Sequence, residues 1–115
     1  MIPPEPSRGD IWGVNLDPTI GREQAGARPA LIISVDLFNH GPADLVVIVP
    51  LTSQEKGIPF HVPIHPPEGG LTLRSFAKCE DVRSISRQRL KRRYGQVARK
   101  TMEQVEDRLR ILLSL

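Results

Sequence analysis

Glu23, Arg28, Thr52 and Ser53 bring a carboxylate, a guanidinium and two hydroxyls to the ends of two apolar runs. The polar turn Gly21-Arg22-Glu23-Gln24-Ala25-Gly26-Ala27-Arg28-Pro29 feeds Ala30-Leu31-Ile32-Ile33. A second run, Leu45-Val46-Val47-Ile48-Val49, ends in Pro50-Leu51-Thr52-Ser53. Breaking a phosphodiester needs a group to move protons, fixed positive charge for the nonbridging oxygens, and donors to hold them. In RNA the substrate's own 2′-hydroxyl can attack, so neither a metal nor a protein nucleophile is compulsory. Glu23 has the chemistry of a base for that hydroxyl, and Arg28 that of a charge stabiliser. A true acid role for Arg28 would be unusual, because a guanidinium stays protonated in proteins. Thr52 and Ser53 can donate to phosphate oxygens. Plainer roles fit the same residues: Glu-x4-Arg is a common surface ion pair, and Thr and Ser often end strands.

Other chemistries find less support. His40, His61, His65 and Cys79 do not form the clustered ligand pattern of a zinc site. His61 and His65 lie on either side of Pro63 in a stretch that reads as extended, without a third ligand, so no metal is expected. Cys79 reads as a buried core thiol. There is no glycine-rich phosphate loop, and Trp12, in an alternating stretch, reads as core before it reads as a base platform.

The elements that must position these groups fit in one domain, residues 1–115, with a proline-rich loose tail over residues 1–6. Aromatics make up 4% of the chain, so Leu, Ile and Val must build the core. No run approaches the length of a membrane span. The start lacks the pattern of an export signal, and a lone cysteine rules out a disulfide framework, so a reducing cytoplasm is the expected location. Strands are expected over residues 9–16, 29–35 and 45–51, the last central and buried on both faces. Residues 60–64 read as a strand that sits at an edge or carries a bulge, because Pro63 cannot donate to a ladder. Residues 75–84 read as one extended segment, Ser86 as the cap of a short helical turn, and residues 94–97 as a brief strand. Met102, Val105, Leu109, Leu112 and Leu113 form one helical stripe. Such elements make a strongly curved sheet or small barrel with one packed helix.

Formal net charge is +3, and residues 83–100 hold eight basic residues and no acidic one. A block of this kind suits RNA, DNA or an acidic partner, or else a solvated helix face.

Several segments in register resemble the MazF/PemK family of toxin endoribonucleases. They are Arg8-Gly9-Asp10-Ile11-Trp12, Leu16-Asp17-Pro18-Thr19, the turn from Gly21 to Pro29, Val49-Pro50-Leu51-Thr52-Ser53, Pro59-Phe60-His61-Val62 and Lys78-Cys79-Glu80-Asp81-Val82-Arg83-Ser84-Ile85. The order holds from about residue 7 to the C-terminal helix. The resemblance implies a mainly β fold with α, an SH3-like small β-barrel (CcdB/MazF-like) with a C-terminal helix, assembled as a homodimer. It implies sequence-specific, metal-independent and cofactor-free cleavage of single-stranded RNA, mRNA above all, leaving 2′,3′-cyclic phosphate and 5′-hydroxyl ends. It also implies a cognate antitoxin whose acidic tail fills the RNA groove. Carried over by motif, Arg28 and Thr52 are essential, with Glu23, Ser53 and Glu80 assisting. Arg22, Gln24, Gln54, Lys56, Lys78, Glu80 and Arg83 are the expected RNA-binding residues. Two positions depart from some members: Lys78 and Glu80 stand where those have Arg and Asp, and Arg22 where they have His. Lys lacks the bidentate fork of Arg, which puts phosphate geometry there in question. The competing readings are a non-catalytic, CcdB-like poison of a protein target such as DNA gyrase, and a passive RNA-binding barrel.

Overall fold

A computed structural model describes residues 5–16 and 28–115. Seven strands form one curved sheet in the order β4-β5-β3-β2-β1-β7, with β6 also paired to β3. They are β1 (Asp10–Val14), β2 (Arg28–Ile32), β3 (Leu45–Thr52), β4 (His61–Ile64), β5 (Ser75–Lys78), β6 (Arg83–Ser86) and β7 (Leu90–Gln96). A single helical turn, α1 (Asp36–Asn39), sits in the β2–β3 connection, and α2 (Arg99–Leu113) ends the chain. All ladders are antiparallel.

Side-chain alternation on β1 to β3 builds two cores, one on each sheet face. Ile11, Leu31, Val49 and Leu51 join Val62, Ile64, Ala77 and, from α2, Met102 and Val105. The alternate residues Trp12, Val14, Ala30, Ile32, Val46 and Ile48 pack with Ile85 on the other face. A strand with both faces buried needs apolar residues at every position, which is why β3 reads as an unbroken apolar run. Trp12 and Cys79 are core residues, as expected.

The sheet is curved but not laddered into a closed barrel. Its end strand β4 carries Pro63, whose missing N–H suits an edge. The connection from β4 to β5 passes the other end strand through a 3-10 turn, Glu68–Gly70. A Cβ on Gly70 would lie 2.1 Å from the Tyr94 carbonyl oxygen, so this turn lies backbone against backbone on β7. Gly70 also has φ +74°, a conformation that favours glycine.

Three expected elements differ in detail. The extended segment over residues 75–84 is two strands split by a 3-10 turn, Cys79–Asp81. β5 pairs with Leu51 and Thr52 of β3, and β6 with Leu45 to Ile48, so the turn takes up surplus chain between two ladders on one long partner. The brief strand over 94–97 is longer, because Lys91, Arg92 and Arg93 are exposed on an end strand and hide its pattern. Of the proline-rich start, residues 1–4 lie outside the described residues. Pro6 is buried, and its carbonyl oxygen lies 2.7 Å from His40 Nε2. Ser86 does cap a helical turn, accepting a hydrogen bond from the Gln88 amide at 3.1 Å.

No described helix is long and apolar enough to cross a membrane.

Candidate active site

β2 and β3 stay laddered from Ile32–Ile48 to Ala30–Pro50 and then part. Pro29 and Pro50 sit at the parting, and neither has an N–H to extend a ladder. Beyond it β3 turns to β5, pairing Leu51 with Ala77 and Thr52 with Phe76. The strands diverge into a cleft of about 400 Å³. Arg28 and Pro29 line it from β2, and Leu51, Thr52, Ser53 and Gln54 from the end of β3. Sequence reasoning thus named four of its polar residues, Arg28, Thr52, Ser53 and Gln54.

The local geometry leaves these groups ready to donate. Arg28 is exposed. Thr52 Oγ1 accepts from the Gln54 amide at 3.2 Å, which uses a lone pair and leaves the hydroxyl proton for an incoming oxygen. Among the described lining residues there are two guanidiniums, Arg28 and Arg92, and no carboxylate. A concave site of that sign attracts polyanions.

Arg92 and Tyr94 of β7 and Thr72 and Ser75 around β5 also line the cleft, and sequence reasoning missed them as site residues. Arg92 belongs to the basic block, the one available signal; Tyr94 was legible only as part of a strand. The block is not one helix face: Arg83 lies on β6, Lys91, Arg92 and Arg93 on β7, Arg87 and Arg89 in the 3-10 turn between them, and Arg99 and Lys100 in the first turn of α2. Part of it is structural: Arg87 pairs with Asp44 at 3.1 Å, Arg89 donates to the Asn15 carbonyl at 2.9 Å, and Arg93 pairs with the buried Asp10 at 3.2 Å.

Glu23, Arg22 and Gln24 lie outside the described residues. Lys56 lines a neighbouring hollow with Arg74 and Phe76. Lys78, Glu80 and Arg83 do not line the cleft. Lys78 pairs with Asp81 at 3.6 Å, and Arg83 is exposed on β6. Glu80 binds His61 Nε2 at 2.8 Å. Partial burial works to raise the Glu80 carboxyl, but the His61 hydrogen bond, a backbone hydrogen bond and the charges of His61 and Lys78 outweigh it and leave it below its ordinary value. Burial, reinforced by the nearby Glu80 charge, pushes the Cys79 thiol up to about 11, so it stays protonated at neutral pH and is no nucleophile. No cluster of three or more His, Cys, Asp or Glu able to hold a metal occurs among the described residues.

Curved sheet, C-terminal helix and basic, hydroxyl-lined cleft together describe a small barrel-like domain whose cleft suits a polyanion. Residues 7–113 match the family described as PemK-like, MazF-like toxin of type II toxin-antitoxin system, and the chain belongs to that family. It is 36% identical over 113 residues to the endoribonuclease MazF9 of Mycobacterium tuberculosis, covering 94% of this chain and 96% of that one. A MazE–MazF structure from Deinococcus radiodurans superposes with TM-score 0.82 at 29% identity, covering 96% of this chain and 97% of that one. A mycobacterial endoribonuclease in complex with its cognate antitoxin superposes with TM-score 0.75 at 26% identity, covering 96% and 95%.

Proposed function

We propose that the chain is the toxin of a type II toxin–antitoxin pair and acts as an endoribonuclease on single-stranded RNA, mRNA above all, in the cytoplasm. The observation that carries the site assignment is the cleft where β2 and β3 part, with Arg28, Thr52 and Ser53 on its wall. The 2′-oxygen attacks phosphorus as its proton passes to a base, the bond from phosphorus to the 5′-oxygen breaks, and solvent protonates the departing oxygen. The products are a 2′,3′-cyclic phosphate and a 5′-hydroxyl. Arg28 neutralises charge growing on the nonbridging oxygens, and Thr52 and Ser53 hold those oxygens by hydrogen bonds. Glu23 is the base in this reading, assigned by its place in the motif. The substrate supplies its own nucleophile, so the scheme runs without metal.

The partners follow from the same surface. A cleft whose described lining holds Arg28 and Arg92 and no carboxylate suits an acidic antitoxin segment as well as RNA. A homodimer is supported by large apolar side chains left exposed on α1 and at the end of α2, with Leu37 86%, Ile111 60% and Leu115 86% exposed. Arg8 joins these regions, its amide donating to Asp36 at 2.7 Å and its guanidinium pairing with Glu106. The non-catalytic poison is not favoured, because relatives matched over nearly their whole length are named endoribonucleases.

The test is incubation of purified protein with a long, mostly unstructured RNA in excess EDTA, with chemical mapping of product ends. Discrete cuts ending in cyclic phosphate, lost in Arg28→Ala while its melting temperature is kept, are expected. Intact cleavage in Arg28→Ala overturns the site, and no cuts on RNAs that sample every short sequence overturn the function.

A further inference from the structure

The cleft has a second wall that the cleavage scheme leaves unused. Arg92 and Tyr94 stand two residues apart on β7 and both line it. The Arg92 guanidinium carbon lies 5.1 Å from the Tyr94 ring centroid, a cation–π contact. Arg93, between them, points elsewhere and pairs with buried Asp10 at 3.2 Å. Asp10 in turn accepts from the Ser7 amide at 2.9 Å and from Trp12 Nε1 at 3.2 Å, so this stretch of β7 is anchored from the far side. On the near side Gly69 and Gly70 press on the backbone of Tyr94 and Gly95, where a Cβ on Gly95 would come within 2.7 Å of Gly69. Tyr94 itself packs in part against the first core. The ring is therefore a fixed shelf, and it is the one aromatic among the described lining residues.

We propose that Arg92 and Tyr94 form a base-stacking subsite, on which an unpaired base next to the scissile phosphate rests while Arg28 and Thr52 hold that phosphate. This rests on the assignment of the cleft to RNA. Unpaired bases stack on aromatic rings and on guanidinium planes, and both surfaces are present here in contact. Every base has a π-face, so the subsite adds affinity and position without choosing a particular letter. Charge alone would need neither the ring nor the planar guanidinium, and that separates stacking from simple phosphate attraction.

The experiment uses an oligonucleotide taken from a mapped cleavage site, made uncleavable by a 2′-deoxy sugar at the attacking position. It carries 2-aminopurine, whose fluorescence stacking quenches, on one or the other side of the scissile phosphate. Wild type and Tyr94→Phe should quench one of the two labels, and Tyr94→Leu should not. On cleavable RNA, Tyr94→Leu should raise KM by about 10-fold with little change in kcat. Arg92→Lys should keep the salt dependence of binding but lose part of the quench. Melting temperatures check the fold, and exposed Arg92 gives a test even where Tyr94→Leu unfolds. Wild-type cleavage with quench and KM unchanged in Tyr94→Leu, or with Arg92→Lys equal to wild type in every readout, overturns the stacking subsite and leaves the nuclease intact. A wild-type protein that neither cuts nor binds RNA overturns both.

Discussion

Thr52, the proposed donor to the phosphate, is held by little local structure. Its oxygen already accepts from the Gln54 amide, so the hydroxyl proton can be offered to only one side. Thr52→Val keeps the shape and removes that proton. In the proposed scheme it should lower kcat by about 100-fold or more while Thr52→Ser stays close to wild type, as single-turnover cleavage assays will show. Glu80 makes a different kind of contribution. Its carboxyl lies below the ordinary value of 4.5 because the stabilising contacts with His61, backbone and Lys78 exceed the effect of burial. A depressed carboxyl stabilises the fold above that ordinary value and loses the effect as pH falls through the folded value. The melting temperature of wild type should therefore exceed that of Glu80→Gln at pH 7, and the gap should close as pH drops below about 4.5. A gap that widens in acid would reverse the assigned sign.

Helix α2 has Ala98 at its N-cap, which offers no capping side chain, yet helix starts leave backbone N–H groups without partners. Glu68, from the turn between β4 and β5, fills that role by accepting from the Ala98 amide at 2.9 Å and from the Thr101 hydroxyl. Its charge also faces the positive end of the helix dipole. Glu68→Ala should lower unfolding free energy by about 1 kcal/mol, measurable by urea titration. The helix itself was legible in the sequence, since its apolar spacing is local; its cap was not, since the capping residue lies thirty positions away. The same distinction holds for the strands. The apolar runs of β2 and β3 and the edge role of Pro63 could be read directly. The split of residues 75–86 into two strands could not, because it depends on pairing with β3. In the site, Arg28 and Thr52 were legible because strand ends carried them. Arg92 and Tyr94 were missed because only the fold of β7 beside the cleft brings them there.

Among the described residues, most of the large apolar side chains left exposed lie around α1 and near the C-terminus, while Leu73 is exposed at the cleft. The cleft presents guanidiniums, whereas Leu37 of α1 and Ile111 and Leu115 near the C-terminus present apolar groups to solvent. A pairing surface away from the cleft would let two copies associate without covering either site. Sedimentation equilibrium should give twice the chain mass for wild type, and Leu37→Glu combined with Ile111→Glu should shift the equilibrium toward the single chain. A wild-type protein that sediments as one chain at high concentration rules the homodimer out. The turn Glu68–Gly70 has a further consequence for the molecule as a whole. Gly70 borders the cleft while Glu68, two positions earlier, holds the start of α2. One short turn thus touches both the cleft border and the helix start, so in the proposed scheme RNA held in the cleft should disturb the capping carboxylate. Occupancy of the cleft becomes readable at a distance, as altered hydrogen exchange at the Ala98 amide, with no probe attached to the substrate.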